Sequence, residues 1–150
     1  MQTPVIWEEI PEVTQLAEKL IEHFPEKFGG IKSEWIIGYG IANKDKPDGK
    51  KPWELSGQKA PMSFTNSKKY FFMVFLTDWE VRSDEARLVM IYAALKRIER
   101  DNPESGKTLP YDYKDQGELV RTFGPDWESK SRLPNLLNDD IEFVEEPQIL

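Results

Sequence analysis

The segment Tyr70-Phe71-Phe72-Met73-Val74-Phe75-Leu76-Thr77 is a continuous apolar run. A run of that length, rich in aromatic side chains, predicts a central strand buried on both faces, with the core forming around it. A helix follows within a few residues. Ser83 can cap it, because its hydroxyl accepts a bond from a first-turn amide, and Asp84 and Glu85 complement the positive end of the helix dipole. From there to about Arg100, Leu88, Ile91, Tyr92, Leu95 and Ile98 lie along one face, with Val89, Met90, Ala93 and Ala94 widening the stripe. So broad a stripe predicts a nearly enclosed helix lying on the sheet.

The rest of the chain supplies partners for this pair. Ile10, Val13, Leu16, Leu20, Ile21 and Phe24 recur at helical spacing, which predicts an amphipathic helix from Pro11 to about Glu26, stopped by Gly29-Gly30. Glu34-Trp35-Ile36-Ile37-Gly38-Tyr39-Gly40-Ile41-Ala42 predicts a strand whose glycines permit a bulge or the close approach of another backbone. Pro47-Asp48-Gly49 marks a turn after it, and residues 43–67 predict a long loop. Leu109-Pro110 introduces a shorter helix from about Asp112 to Phe123, ended by Gly124-Pro125. The remainder carries Leu133, Leu136, Leu137, Ile141, Phe143 and Val144, too apolar for a free tail, with Ile141-Glu142-Phe143-Val144 expected as an edge strand. Helix and strand alternating over 150 residues predict one α+β domain, a small mixed sheet with helices packed on one face.

Composition narrows the function classes. Five Trp, eight Phe and five Tyr argue against a disordered chain, although 31% of residues are charged. The absence of cysteine excludes disulfides, thiolate metal sites and thiol catalysis. No run of about 18 apolar residues is present, so no membrane partner is expected. Met1-Gln2-Thr3-Pro4 leads on without the basic and apolar regions of a secretory signal, which predicts the cytoplasm, here that of a bacterial host. A net charge of -7 disfavours nonspecific contact with nucleic acid.

That charge is uneven. Between Asn43 and Lys69 seven lysines face three acids, a local balance of +4, whereas 138–146 holds five acids and no base. One stretch can face an anion and the other a basic surface; solvation alone also accounts for both. The residues expected to meet a partner are Lys44, Lys46, Lys50, Lys51 and Trp53 in the first stretch, and Asp139, Asp140, Glu142, Glu145 and Glu146 in the second. No cofactor motif accompanies them: there is no G-x-x-x-x-G-K-[ST], and Gly38-Tyr39-Gly40 lies inside a strand, the wrong place for a phosphate cradle. The single histidine, His23, sits on the first helix as a surface or boundary residue, without the context of a serine triad. Asp112, Asp115 and Glu118 do not have the spacing of a calcium loop.

Trp79, the helix after it, and the segment from Tyr111-Asp112-Tyr113 to Phe123-Gly124 resemble, in type and order, the phage metallopeptidase-like family of small zincins. The resemblance runs from roughly Leu16 to Trp127. In that family the helix carries H-E-x-x-H, and a later segment supplies a third ligand. Here the five helix positions read Ala93-Ala94-Leu95-Lys96-Arg97, and the third-ligand position is Tyr111, followed by Asp112. Zinc of this kind needs two imidazoles one helical turn apart and a glutamate to deprotonate the bound water. The resemblance therefore implies a zincin-like scaffold without its metal or catalytic residues, with Asp112 capping a helix or pairing with Arg97.

Two classes of function follow. In the first, the chain is a noncatalytic protein of a phage or other mobile element that binds a host or viral protein, as an inhibitor of a defence nuclease for example, using its acidic stretch. In the second, a hydrolase has rebuilt a site without zinc from Arg97, Glu99, Tyr111 and Asp112. A weaker third reading has the lysine stretch contact single-stranded nucleic acid, with Trp53, Phe64 and Tyr70 as stacking rings.

Overall fold

The computed structural model describes residues 4–58, 68–99, 102–109, 117–124 and 126–137, together with Ile141 and Phe143. Four strands form one mixed sheet: β1 (Trp7–Glu9), β2 (Ile36–Ile41), β3 (Trp53–Gly57) and β4 (Tyr70–Phe75), in the spatial order β1-β2-β4-β3. β2 and β4 run parallel at the centre, and β1 and β3 flank them antiparallel. The helices are α1 (Pro11–His23), α2 (Pro25–Phe28), α3 (Leu76–Val81), α4 (Asp84–Leu95) and α5 (Gly117–Phe123). The fold is α+β, as the alternation of patterns predicts.

Period-two alternation sorts the strand residues. Ile36, Trp53, Leu55, Tyr70, Phe72 and Val74 point to the helical layer and are buried. Gly38 and Gly40 share that face. A Cβ on Gly38 would lie 2.3 Å from Cγ2 of Val13, so α1 rests directly on the β2 backbone. The close approach expected of these glycines is thus made by α1, and it is tied by Ile10 N–H donating to Gly38 O at 2.7 Å and Thr14 Oγ1 to Ile36 O at 2.7 Å. α4 lies beside α1, its residues from Leu88 to Leu95 all buried, and Ser83 Oγ accepts from Ala86 N–H at 3.1 Å as its N-cap.

Several boundaries differ from expectation, each for a physical reason. α1 stops at His23 because Pro25 has no amide to continue it; Pro25 instead opens the short α2. β4 stops at Phe75, and Leu76 and Thr77 open α3, where Trp79 is buried under the Arg87 guanidinium at 5.2 Å. α4 ends at Leu95 rather than near Arg100, since Ile98 leaves to pair with Thr108 and Leu109 N–H reaches Arg97 O at 2.6 Å. The expected loop over 43–67 contains β3, whose Trp-Glu-Leu-Ser alternates apolar and polar. β4 is central, yet only one of its faces is fully buried.

Leu136 is buried, and Leu133, Leu137, Ile141 and Phe143 pack against the core, so the C-terminal part docks as expected. The Phe143 ring stacks on Tyr92 at 5.4 Å. Of the edge strand expected at 141–144, Ile141 and Phe143 are described and neither lies in a strand, while Glu142 and Val144 lie outside the described residues. No described helix is long and apolar enough to cross a membrane.

Tyr70 locks the 103–109 segment to the sheet by donating its hydroxyl to Pro103 O at 2.6 Å. Burial raises this phenol from 10.0 to about 12, against a lowering bond from the Gly106 backbone and with a small upward push from Glu99. Between those two values the folded state keeps a proton that the unfolded chain has released, so stability falls as pH climbs from 10 to about 12. Tyr70→Phe is expected to cost about 1 kcal/mol at neutral pH and to flatten part of that alkaline loss. Tyr92, raised in the same direction by burial and by Glu118, retains the rest. Urea midpoints across the alkaline range check both.

Candidate binding face and its cationic groove

The second face of the sheet has a different character. Ile37, Tyr39, Ile41, Phe71, Met73 and Phe75 alternate with the buried set, and all six are only partly covered. β1 extends this face, because Trp7 pairs with Ile41 and Glu9 with Tyr39. Trp7 is 47% exposed and Ile6, just before it, 55%. The only polar side chains that β3 adds are Glu54 and Ser56. The described helices pack against the other face, so an apolar strip runs over β2 and β4 and on to Trp7 of β1, bordered by Glu9 on one side and by Glu54 and Ser56 of β3 on the other. Exposed apolar patches on protein surfaces are common at interaction sites, which makes this face the candidate.

Two hollows lie on it, sharing Trp7 and Met73. One, of about 350 Å³, is lined by Trp7, Tyr39, Ser56, Phe71 and Met73. The other, of about 510 Å³, sits where the chain enters β3, and its rim carries Lys50, Lys51 and Arg97. Lys51 Nζ lies 5.7 Å from the centre of the Trp53 ring. Its pKa is lowered, first by burial and further by Arg97, against the opposing pull of Glu128 and Glu54. The Trp53 indole N–H is buried with no hydrogen-bond partner among the described residues.

The residues singled out from sequence thus divide. Lys50, Lys51, Trp53 and Arg97 come together around this groove. Lys44 is exposed in the preceding segment, and Lys46 donates to Lys50 O at 3.2 Å, bracing the turn. Ala93 and Ala94, which the resemblance drawn from sequence sets at a ligand and a base position, are buried at 0% and 3% exposure inside the helical layer. Arg97, which the same resemblance sets at the second ligand position, lies beyond the end of α4 and donates from Nε to Leu109 O at 2.9 Å. Tyr111, Asp112, Asp115, Phe64, Asp139, Asp140, Glu142, Glu145 and Glu146 lie outside the described residues. Trp53 and Tyr70 are 2% and 0% exposed, which removes them as base-stacking rings.

Glu118 is committed elsewhere. Its carboxylate accepts from Lys27 Nζ at 2.9 and 3.0 Å and from the Tyr92 hydroxyl, with Lys96 Nζ at 3.6 Å. Burial pushes this carboxyl up, but the bonds from Tyr92 and Lys27 and the charges of Lys96 and Lys27 outweigh it and hold it below 4.5. His23 is half-buried, edge-on to Phe24 at 4.7 Å.

The apolar face went unseen in the sequence because two of its four strands did. Its signal was present in Tyr70–Phe75: a continuous apolar run serves a two-sided burial and a one-sided burial with a sticky second face equally well. No family model, curated protein or solved structure matches the chain.

Proposed function

We propose that this chain works as a noncatalytic binding protein and that the partly exposed face of its sheet seats a protein partner. The observation that carries this reading is the alignment of Trp7, Tyr39, Ile41, Phe71, Met73 and Phe75 on one partly exposed surface. A sheet face this apolar loses free energy in water and regains it against a complementary surface, at roughly 25 cal/mol per Å² buried. Aromatic side chains and methionine are also the types enriched where protein partners meet.

The likeness to phage metallopeptidases, with alanines at the ligand and base positions, supports a scaffold used for contact instead of hydrolysis, and makes a bacterial host protein the partner to seek. Within that class a defence nuclease suits the acidic residues between Asp139 and Glu146.

Affinity capture from bacterial lysate tests the reading when wild type is compared with the double variant Phe71→Glu, Met73→Glu. The variant is expected to retain at least tenfold less of whatever the wild type captures specifically, with an unchanged thermal midpoint. Equal retention by both proteins removes the sheet face as the binding surface. Purified nucleases assayed with an equimolar amount of the protein decide the narrower claim, since unchanged cleavage rates would rule that partner class out.

A further inference from the structure

We infer that the partner lays an amphipathic α-helix along the partly exposed face of the sheet, with lysines or arginines on both flanks of its apolar stripe. The inference rests on the binding-face reading and adds the shape and charge of the occupant. Register defines the footprint. Glu9 pairs with Tyr39, Tyr39 with Met73 and Met73 with Glu54, so one row across all four strands runs acid, apolar, apolar, acid. Residues paired across strands share a side of the sheet, so both carboxylates border the face that carries Tyr39 and Met73. Glu9 and Glu54 are exposed, and among the described residues neither makes a hydrogen bond or an ion pair, although Glu54 attracts Lys51 at longer range. Lys50 precedes β3, at the Trp7 end of the strip.

A helix matches this footprint in width and in length. Neighbouring strands lie about 4.8 Å apart, which sets the backbones of Glu9 and Glu54 about 14 Å from each other. A helix with its side chains is roughly 10–12 Å across, so one lying along β2 and β4 covers both and brings its flanks to the two glutamates. The six residues of each central strand run about 20 Å, the length of about 13 helical residues. Topology points to the same cover. β2 and β4 are parallel, and parallel strands are found chiefly where helices lie on both faces of the sheet. The described helices of this chain cover one face only.

A second copy of the chain fits less well. Two sheets pack face to face with their strands nearly aligned. A two-fold axis along the strands then sets Glu9 of one copy over Glu54 of the other, and an axis across them sets each glutamate over its own counterpart. Both arrangements bring carboxylates together on either side of the apolar strip. A nucleic acid strand meets the same two carboxylates and a net charge of -7. Basic flanks complement the glutamates, and the apolar stripe between them gains from burial.

Fluorescence anisotropy with a dye-labelled synthetic peptide of about 18 residues, long enough to form a helix in water, gives the test. Its leucine stripe is flanked by lysines; one counterpart carries glutamates in their place, and another carries a central proline that breaks the helix. The lysine peptide is expected to bind at least tenfold more tightly than either. Glu9→Lys with Glu54→Lys is expected to reverse the preference in favour of the glutamate peptide at an unchanged thermal midpoint. Glu18→Lys with Glu22→Lys makes the same change of net charge on the exposed side of α1 and is expected to leave the affinity within about twofold. Glutamate or proline peptides that bind as well as the lysine peptide, no binding of any, or an equal loss from the α1 pair would each overturn the inference. So would a wild-type dimer in sedimentation velocity that Phe71→Glu, Met73→Glu dissociates. The two readings fail separately. Capture from lysate that Phe71→Glu, Met73→Glu leaves intact removes the binding face, whereas capture that needs Phe71 and Met73 yet survives Glu9→Lys with Glu54→Lys removes only the basic helix.

Discussion

Replacing Gly38 by valine is expected to destabilise the protein by about 3 kcal/mol or more, the upper range for forcing extra carbons into a packed core. The added Cβ alone would stand 2.3 to 3.0 Å from three carbons of Val13. Neither partner can yield cheaply. Val13 is fully buried in the first turn of α1, and the β2 backbone is fixed by ladders to β1 and β4 on either side. The helix must therefore lift, and with it the bonds from Ile10 to Gly38 and from Thr14 to Ile36. In a domain of this size the loss corresponds to a fall of roughly 10 °C in the melting midpoint. Ser56→Val, on the opposite face of β3, is the control and should stay within about 0.5 kcal/mol. A Gly38→Val protein melting with the wild type would show that α1 does not sit on β2 as described.

Glu118→Ala is expected to cost about 3 kcal/mol, between the value of an exposed ion pair and that of a fully buried one. Lys27, Lys96 and Tyr92 all converge on this carboxylate, and Lys27 also lies 4.2 Å above the centre of the Phe143 ring. Removing it leaves two half-buried ammonium groups facing each other and loosens α5 from α2 and α4. The cluster also sets an acid limit. Since the folded state holds the Glu118 carboxyl below 4.5, the unfolded chain takes up that proton first as pH falls. Its stabilisation is whole above that value and is lost below it. Urea midpoints at neutral pH and at about pH 4 should therefore differ less for Glu118→Gln than for wild type. An equal drop in both would assign the acid sensitivity to other carboxylates.

Much of the helical layer was legible in the chain itself. The spacing of Val13, Leu16 and Leu20 predicts the buried face of α1, and Ser83 marks the start of α4. The sheet was half legible. β1 is three residues long and reads Trp-Glu-Glu, too short to alternate visibly, and β3 alternates correctly but lies among lysines that suggest a loop. The position of Arg97 was not accessible at all. Helical periodicity carries it onto α4, whereas the chain turns away after Leu95 because the backbone at 97–98 pairs with 108–109. The meeting of Lys50, Lys51 and Arg97 depends on that turn, and local pattern carries no information about it.

The order of strands in space has a consequence for how the molecule is assembled. β4 joins β2 to β3, yet it is the last of the four in the chain. Until it is synthesised, β3 has no ladder to enter and β2 has only the three-residue β1 beside it. A nascent chain ending at Lys69 therefore contains three strands and, of the three ladders, only the short β1–β2 pair. Closing the β2–β4 pair spans more than thirty residues, a loop entropy met late, and the helical layer from α4 onward, which completes the core, follows later still in the chain.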